Sequence, residues 1–242
     1  RGRRGRRRPA VVTALLLRLA APFQSWGTAS RFTRRATDRA PSKSAVIGLL
    51  AAAEGRRRTD SIEHLLDLRF AVRTEQPGRL ERDFQTASRD GAVVSVSTRH
   101  YLADAVFLAA VEGDRDLLAG LEDALRRPHF PLYLGRRSCP PVGPLGRGLR
   151  DGTAVEALHA EPWQAAPMVQ RAHRGASVTL DLAADADPTD PGADLVRDQP
   201  VAHGFDPAHR QWEWRAVRHE RIEVPNPAYR GEPDHHQPME QL

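Results

Sequence analysis

The chain has 242 residues, of which 40% are hydrophobic, and a net charge of +5, so it can bury one sizeable core or two small ones. Its single cysteine excludes an internal disulfide and any multi-cysteine zinc site, and it fits a reducing cytoplasm. No apolar run reaches the roughly 18 residues that span a bilayer. We therefore expect a cytoplasmic protein with no membrane partner.

Positive charge is concentrated in separate segments of the chain. Residues 1–10 hold six arginines and no acid, so the rest of the chain sums to −1. We interpret this segment as a disordered basic leader, with an RNA-binding tail as the alternative. Arg31–Arg58 and Arg126–Arg150 are also basic, whereas Asp181–Asp198 holds six aspartates and one arginine. This asymmetry favours one face for a polyanion and another for a different partner.

The first 150 residues predict two β-α-β units. The predicted elements are a strand over Val12–Leu19, a helix from Ser42 to Gly55, a strand over Leu66–Thr74, a hairpin arm over Ala92–Ser97, a strand over Tyr101–Val111, a helix from Asp114 to Pro128 and a strand over Phe130–Leu134. The order is βαββαβ, with a hairpin of about residues 76–100 inserted between the second and third strands. It predicts an α+β, ferredoxin-like (RRM-like) fold over residues 11–150.

The pattern weakens after residue 150. Ser177–Leu182 and Gln211–Val217 predict strands on either side of an acidic loop. We therefore interpret residues 151–224 as a smaller, mostly β C-terminal extension, and the Pro- and His-rich residues 225–242 as a flexible tail. No metal-binding or cofactor motif is recognisable, and neither a metal nor a cofactor is expected.

Two groups of residues predict a site for phosphate groups. Ser42, Lys43 and Ser44 open the first helix, where free N–H groups and the positive dipole end favour an anion. The stretch LYLGRRSCPPVGPLGRG (Leu132–Gly148) leaves a predicted strand for a Gly/Pro-rich loop with two arginines, the usual side chains for bidentate phosphate contact. In a split β-α-β fold this loop can lie beside the helix start. An ordinary surface loop with solvated arginines is the alternative.

Aromatic and polar residues extend this constellation. A ring can stack on a base, and the inserted hairpin can reach out towards a ligand. The candidate RNA-binding residues are Gln24, Trp26, Arg31, Arg34, Arg35, Ser42, Lys43, Ser44, Gln85, Arg89, Arg99, Tyr101, Arg136, Arg137 and Ser138.

A catalytic arrangement is the competing interpretation. His100 and Tyr101 lie at the base of the inserted hairpin, and Lys43 lies at the helix start. A base for a 2′-hydroxyl, a cation for the phosphorane and an acid for the leaving group would support metal-independent RNA cleavage. The alternative is that Tyr101 begins a strand and His100 is its polar neighbour. We favour this alternative and assign no catalytic residue.

Five stretches within the first 145 residues carry a resemblance to a known family. They are LLLRLAAPFQSWG (Leu15–Gly27), PSKSAVIGLLAAAEG (Pro41–Gly55), DFQTA (Asp83–Ala87), STRHYLADAVF (Ser97–Phe107) and LYLGRRSCPPVGPL (Leu132–Leu145). In this order they resemble the CasD family, the RAMP-superfamily subunits of the subtype I-E CRISPR interference complex called Cascade. The C-terminal part resembles the family only loosely, and Arg1–Ala10 has no counterpart.

The resemblance implies a RAMP fold whose β-hairpin protrudes as a thumb. It implies a non-catalytic subunit that holds the 5′ handle of the CRISPR RNA and contacts the CasC backbone subunit and the large subunit CasA, with target DNA nearby. In this subtype a separate subunit, CasE, cuts the precursor RNA. Relatives in subtype I-C use a Tyr/Lys/His set, which His100 alone does not restore. A metal-independent endoribonuclease that processes repeat RNA is the alternative function.

Overall fold

The computed structural model describes residues 12–27, 34–89 and 92–231. Their secondary structure is mixed α/β. The elements are β1 (Thr13–Ala20), β2 (Phe23–Gln24), β3 (Arg34–Arg35), α1 (Lys43–Ala53), a 3-10 turn (Glu63–Leu65), β4 (Arg69–Gln76), β5 (Arg79–Arg89), β6 (Ala92–Ala103), β7 (Val106–Gly113), α2 (Arg115–Arg126), β8 (Gly146–Asp151), α3 (Ala154–Ala160), α4 (Pro167–Ala172), β9 (Ser177–Asp185), β10 (Asp194–Pro200) and β11 (Trp212–Pro225). The predicted leader and residues 232–242 of the predicted tail lie outside the described residues.

A seven-stranded sheet forms the centre of the molecule. Its order is β10-β11-β9-β4-β7-β1-β8, and every pair of neighbours is antiparallel. Alternate residues of β1 point to opposite faces: Leu15 and Leu17 pack in the core with α1 and α2, and Leu16 packs in the core with α3. The C-terminal strands β9 to β11 are therefore part of the same sheet, joined to it where β9 pairs with β4.

The thumb is a second, smaller sheet, inserted where β4 ends and β7 begins. β5 and β6 pair along their whole length, from Arg79 opposite Ala103 to Arg89 opposite Ala92. β2 and β3 pair with β6 as well. Gly78 forms the turn from β4 into β5 with φ +69°, and a Cβ there would lie 2.5 Å from the Ala103 carbonyl oxygen. The hairpin spans 79–103, close to the predicted 76–100.

The predicted strand at Phe130–Leu134 is wrong. The backbone N–H groups of His129 and Phe130 donate to carbonyl groups at the end of α1 at 2.9 and 3.3 Å, so this segment is bonded to a helix. Pro131 lacks a donor, which weakens a ladder at this position. The edge of the sheet is instead closed by β8, which pairs with β1.

The predicted helix starts are confirmed. The Ser42 side chain accepts a hydrogen bond from the N–H of Ala45, and Asp114 accepts two bonds from the first turn of α2. The predicted strand Tyr101–Val111 is divided between β6 and β7 by Asp104, which has φ +56°.

The predicted strand Ser177–Leu182 lies within β9, and the predicted strand Gln211–Val217 overlaps β11, which begins at Trp212. The sequence pattern had indicated neither β10 nor the helices α3 and α4. None of the helices in the described ranges combines the length and the apolar character that crossing a bilayer requires.

Candidate nucleic-acid interface

The segment Leu134–Cys139 forms a closed turn. The N–H of its first residue donates to the carbonyl of its last residue at 2.8 Å, and both of these residues are buried. Gly135 has φ +88°, and a Cβ there would lie 1.6 Å from the carbonyl oxygen of Ser25. No other residue type fits at this position without moving the chain. The turn therefore presents residues 136–138 from a tightly packed base.

Tyr101 of β6 lies at the centre of a cluster with this turn. The Arg136 guanidinium carbon is 4.6 Å from the centroid of the Tyr101 ring, and the Arg136 side chain donates to the Arg35 carbonyl at 3.0 Å. The side chains of Ser138 and Arg99 also lie close enough to the phenol to lower its pKa. We call these five residues the Tyr101 cluster. It brings together members of three segments that the sequence had singled out separately.

The electrostatics of the cluster favour a negative ligand. Burial raises the pKa of the Tyr101 phenol, but hydrogen bonds with Arg136 and Ser138, the charge of Arg136 and a hydrogen bond with Arg99 together lower it by more. The net result is a pKa below the usual value. A phenol whose ionised form is favoured reports a positive field at its oxygen, and the same field attracts a phosphate.

Three buried nitrogen atoms in β6 and the turn have no hydrogen-bond partner among the described residues: Arg99 Nε, His100 Nδ1 and Arg136 Nη1. A buried donor left without an acceptor costs about 1–3 kcal/mol, so such atoms call for an explanation. Two of the three belong to guanidinium groups of the Tyr101 cluster. An acceptor from outside the chain, such as a phosphate oxygen, would satisfy them.

Phe23 adds an exposed ring that the sequence analysis did not select. Its side chain is 45% exposed, and its ring stands edge-on to Tyr101 with 5.7 Å between the ring centroids. β2 pairs with β6, which holds Phe23 beside Tyr101. An exposed aromatic ring next to guanidinium groups is a stacking surface for a base. The only signal in the sequence was its place inside the family stretch LLLRLAAPFQSWG.

Gln24 and Trp26 are the two most deeply buried of the described candidates. Gln24 donates to the carbonyls of Leu19 and Ala105 at 3.2 and 2.6 Å, and the Trp26 indole donates to the Gln24 side-chain carbonyl at 3.1 Å. Gln24 is fully buried and Trp26 is 1% exposed. Trp26 therefore has no exposed ring for stacking, and the structure gives both residues a bracing role behind the Tyr101 cluster.

The start of α1 is occupied by a carboxylate of this chain. The Lys43 N–H donates to Asp198 at 2.8 Å, and the Lys43 ammonium pairs with Asp185 at 2.8 Å. Arg215 bridges both aspartates at 2.6 Å. The expectation of a phosphate at this helix start is corrected, because an internal aspartate already takes the favourable position and Lys43 is only 5% exposed.

The remaining candidates are spread over the turn, the thumb and the segments beside them, and Arg31 lies outside the described residues. Arg137 is exposed beside Arg136. Gln85 is exposed on the thumb and donates to Asp83 at 2.5 Å. Ser42 and Ser44 line a groove with Gly135. Two further arginines are placed as follows: Arg89 belongs to β5, and Arg34 pairs with β6 through the backbone of β3.

The residues of the possible cleavage arrangement are not brought together. His100 and Tyr101 are consecutive in β6, so their side chains point to opposite faces of the thumb sheet. Lys43 is buried in its pair with Asp185. Among the described residues there is also no group of three or more side chains that could hold a metal ion.

The thumb carries apolar side chains in solvent. Leu80, Phe84 and Val96 are 65%, 59% and 50% exposed. Leu80 and Phe84 lie on one face of β5, and the Arg82 guanidinium carbon is 5.0 Å from the centroid of the Phe84 ring. Exposed apolar side chains that cluster on a protruding hairpin are typical of a surface that a partner covers.

Comparison with known proteins defines the class. The family model described as CRISPR-associated protein (Cas_Cas5) matches residues 14–218. The chain therefore belongs to this family of CRISPR-associated proteins. A curated relative is the CRISPR system Cascade subunit CasD of Escherichia coli (strain K12), which is 35% identical over 156 residues that cover 55% of this chain and 70% of the relative. The resemblance to CasD expected from the sequence is confirmed.

Two solved structures share both fold and sequence with the chain. One is a chain described as "CRISPR RNA-guided surveillance complex", with a TM-score of 0.72 and 32% identity over 91% of this chain and 95% of that chain. The other, described as "Crystal structure of Cas protein", has a TM-score of 0.68 and 37% identity over 91% of this chain and 99% of that chain. The antiparallel α/β architecture thus matches structures of CRISPR-associated proteins.

Proposed function

We propose that this chain is a non-catalytic subunit of a Cascade-type, subtype I-E surveillance complex, and that it holds the 5′ handle of the CRISPR RNA. The observation that carries the proposal is the Tyr101 cluster, where two guanidinium groups have buried N–H groups without an acceptor among the described residues, beside an exposed ring. The similarity to CasD and to a chain of an RNA-guided complex supports the choice of RNA as the ligand.

Each residue of the cluster has a distinct part in this proposal. Arg136 and Arg99 donate to phosphate oxygens, which gives charge-assisted hydrogen bonds of about 1.5–3 kcal/mol. Phe23 stacks against a base. Arg137 lies at the exposed rim and attracts the backbone from solution. Sequence recognition of target DNA is left to pairing with the guide, and the protein holds the backbone and end of the RNA.

We infer that the core is a ferredoxin-like RAMP fold. In chain order, β1, β4, β7 and β8 are the four strands that alternate with α1 and α2, and they lie side by side in the order β8-β1-β7-β4. This is the fourth-first-third-second arrangement of the split β-α-β design. The hairpin β5-β6 is then the thumb inserted between the second and third strands.

We propose the thumb as the contact to the CasC backbone subunit, with CasA as a further partner and target DNA nearby. The exposed Leu80, Phe84 and Val96 support a protein contact, because their burial against a partner would remove apolar surface from water. The complex would assemble in the cytoplasm around the RNA.

Binding of the handle is tested with the full chain and two RNAs of equal length and charge. One carries the repeat-derived 5′ handle, and the other carries the same nucleotides in scrambled order. We expect tighter binding of the handle RNA across a range of salt concentrations, because phosphate attraction weakens with salt equally for both. Equal affinities at every salt concentration would overturn handle recognition, and an absence of RNA binding would leave a protein-only scaffold.

The absence of catalysis is tested with precursor repeat RNA in EDTA. We expect intact RNA with the wild-type chain, because Lys43 is engaged by Asp185 and His100 lies on the face opposite Tyr101. Specific cleavage that disappears in His100→Ala would establish an endoribonuclease instead.

A further inference from the structure

The groove that Ser42, Ser44 and Gly135 line is basic and lies beside the turn that carries Arg136. It encloses about 260 Å³ between the outer face of α1, residues 131–135 and residues 205–212. Its lining residues include Arg56, Arg57, Arg58 and Arg210, and the aromatic residues Tyr133 and Trp212. We call these six residues the arginine groove. The sequence analysis selected none of them.

The walls of the groove are fixed to α1. The backbone of residues 129 and 130 donates to carbonyls at the end of α1. On the other side, the Phe205 ring packs against Gly48, where a Cβ would lie 3.3 Å from the ring, so a larger residue would push this wall outward. The Ile62 N–H donates to the Ala202 carbonyl at 2.9 Å. The groove is therefore built from packed segments and is preformed.

The described residues that line the groove include four arginines and no acidic residue. All four of its arginines are exposed, and none takes part in an ion pair found within the described part of the chain. Arg56–Arg58 follow Gly55, which ends α1 with φ +86° and turns the chain so that the three arginines stand at the mouth. The Asp60 carboxylate accepts from the Arg57 backbone N–H at 2.7 Å, but it is not among the residues that line the groove. The four guanidinium groups therefore make a positive opening that attracts a polyanion.

The groove continues into the Tyr101 cluster. Gly135 lines it, and the next residue, Arg136, reaches Tyr101 on the other side of the turn. Gly27, which follows Trp26, also lines it. The groove and the cluster are therefore separated by this one turn, and a single strand bound at the cluster can reach the groove across it.

We propose that the arginine groove binds a further nucleotide of the same single-stranded RNA, and this inference rests on the proposed function. The arginines hold its phosphates, and the base lies against Tyr133 and Trp212. Half-buried rings beside guanidinium groups suit a base better than an acidic peptide, which has no flat face to stack. The groove volume of about 260 Å³ lies below the roughly 300–1,000 Å³ of drug-sized ligand sites, and it has room for one base.

The proposal is tested by RNA affinity in matched double variants of the full chain. Arg57→Glu with Arg58→Glu reverses two charges at the groove. Arg171→Glu with Arg174→Glu makes the same change at exposed arginines around α4, away from the groove. We expect the groove variant to bind a short oligouridine about ten-fold more weakly, with a salt dependence flatter by about 0.7 for each phosphate that the variant no longer binds. The α4 variant should stay within about two-fold of the wild type, since it loses only long-range attraction.

Cross-linking locates the base independently of any variant. We expect 4-thiouridine placed along the oligouridine to cross-link to peptides that contain Tyr133 or Trp212. Equal losses of affinity in the two double variants, or cross-links confined to the Tyr101 cluster, would overturn the groove while RNA binding itself persists. Competition by poly-glutamate that removes these cross-links at equal charge would assign the groove to an acidic protein. A wild-type chain that binds no RNA would overturn the proposed function first.

Discussion

The start of α1 and the Tyr101 cluster are both positive, and both had the sequence features of a phosphate site. At the start of α1, Asp198 and Asp185 take every strong contact of Lys43 and are themselves bridged by Arg215. In the Tyr101 cluster the positive groups face an uncharged phenol. One region is therefore closed by the chain itself, and the other keeps donors for a ligand.

The difference shows what makes positive charge available for binding. A helix start with a basic residue is a site only when no carboxylate of the same chain reaches it. The acidic segment Asp181–Asp198 had been expected to form a separate face. Instead, two of its aspartates neutralise the positive end of α1. Part of the acidic segment therefore pairs with basic groups inside the fold and does not form a separate surface.

Asp198→Ala is expected to have the largest effect, and it tests the closed region at the start of α1. Asp198 is 2% exposed, and its loss leaves the first N–H of α1 without its acceptor and Arg215 with Asp185 alone. Removal of one partner from a buried ion-pair network costs about 3–5 kcal/mol of unfolding free energy. Urea denaturation measures it, with exposed Asp194→Ala as the control and an expected change within about 0.5 kcal/mol. Equal stabilities of the two variants would show that the network is not structural.

Arg136→Ala tests the open region. We expect RNA affinity to fall by about 10- to 100-fold, because a charge-assisted hydrogen bond of roughly 1.5–3 kcal/mol is removed. Arg137→Ala is the matched control. Arg137 is the exposed neighbour of Arg136, and it should contribute only about 0.2–1 kcal/mol to the binding free energy. Fluorescence anisotropy with labelled handle RNA gives both affinities. Equal decreases would mean that the turn supplies charge without a defined contact.

Tyr101→Phe is expected to have a smaller effect, which changes the pH dependence of RNA affinity. The phenolate would compete with phosphate for Arg136 and Arg99, so wild-type affinity should fall as pH rises through the lowered pKa of Tyr101. The variant keeps the ring and should lose this dependence. A 2′-O-methyl RNA, which resists alkaline hydrolysis, allows the measurement. Parallel pH profiles for the two proteins would remove Tyr101 from the site.

The lowered pKa of Tyr101 affects stability and RNA affinity in opposite directions as pH rises. A phenol whose pKa is lower in the folded chain than in the unfolded chain stabilises the fold once ionised. This contribution is complete above the ordinary value of about 10 and is lost as pH falls through the folded pKa. Over that window the wild type should gain stability relative to Tyr101→Phe while it loses RNA affinity.

Local chemistry made much of the fold predictable. Ser42 and Asp114 are side-chain caps whose hydrogen bonds close within three residues, and both helices begin where the sequence indicated. Apolar runs located β1 and β4, because both faces of the central sheet are buried. The turn at Leu134–Cys139 and its arginines were likewise recognisable, because glycine and proline act on their own backbone.

Longer-range features were not predictable in this way. β8 reads GRGLRD, which has a poor strand propensity, and it is a strand only because β1 offers it an unpaired edge. The arginine groove joins residues 56–58 to residues 210–212, which no local pattern connects.

By itself, the sequence determined the family, the helix starts, most of the central strands and the arginine-bearing turn, since these depend on contacts between near neighbours. Only the tertiary structure decided which positive groups remain available. Lys43 meets an aspartate 155 positions further along the chain, whereas Arg136 lies over a tyrosine ring and retains an N–H without an acceptor among the described residues. Charge is a property of a residue, but its compensation depends on which distant residues the fold places beside it.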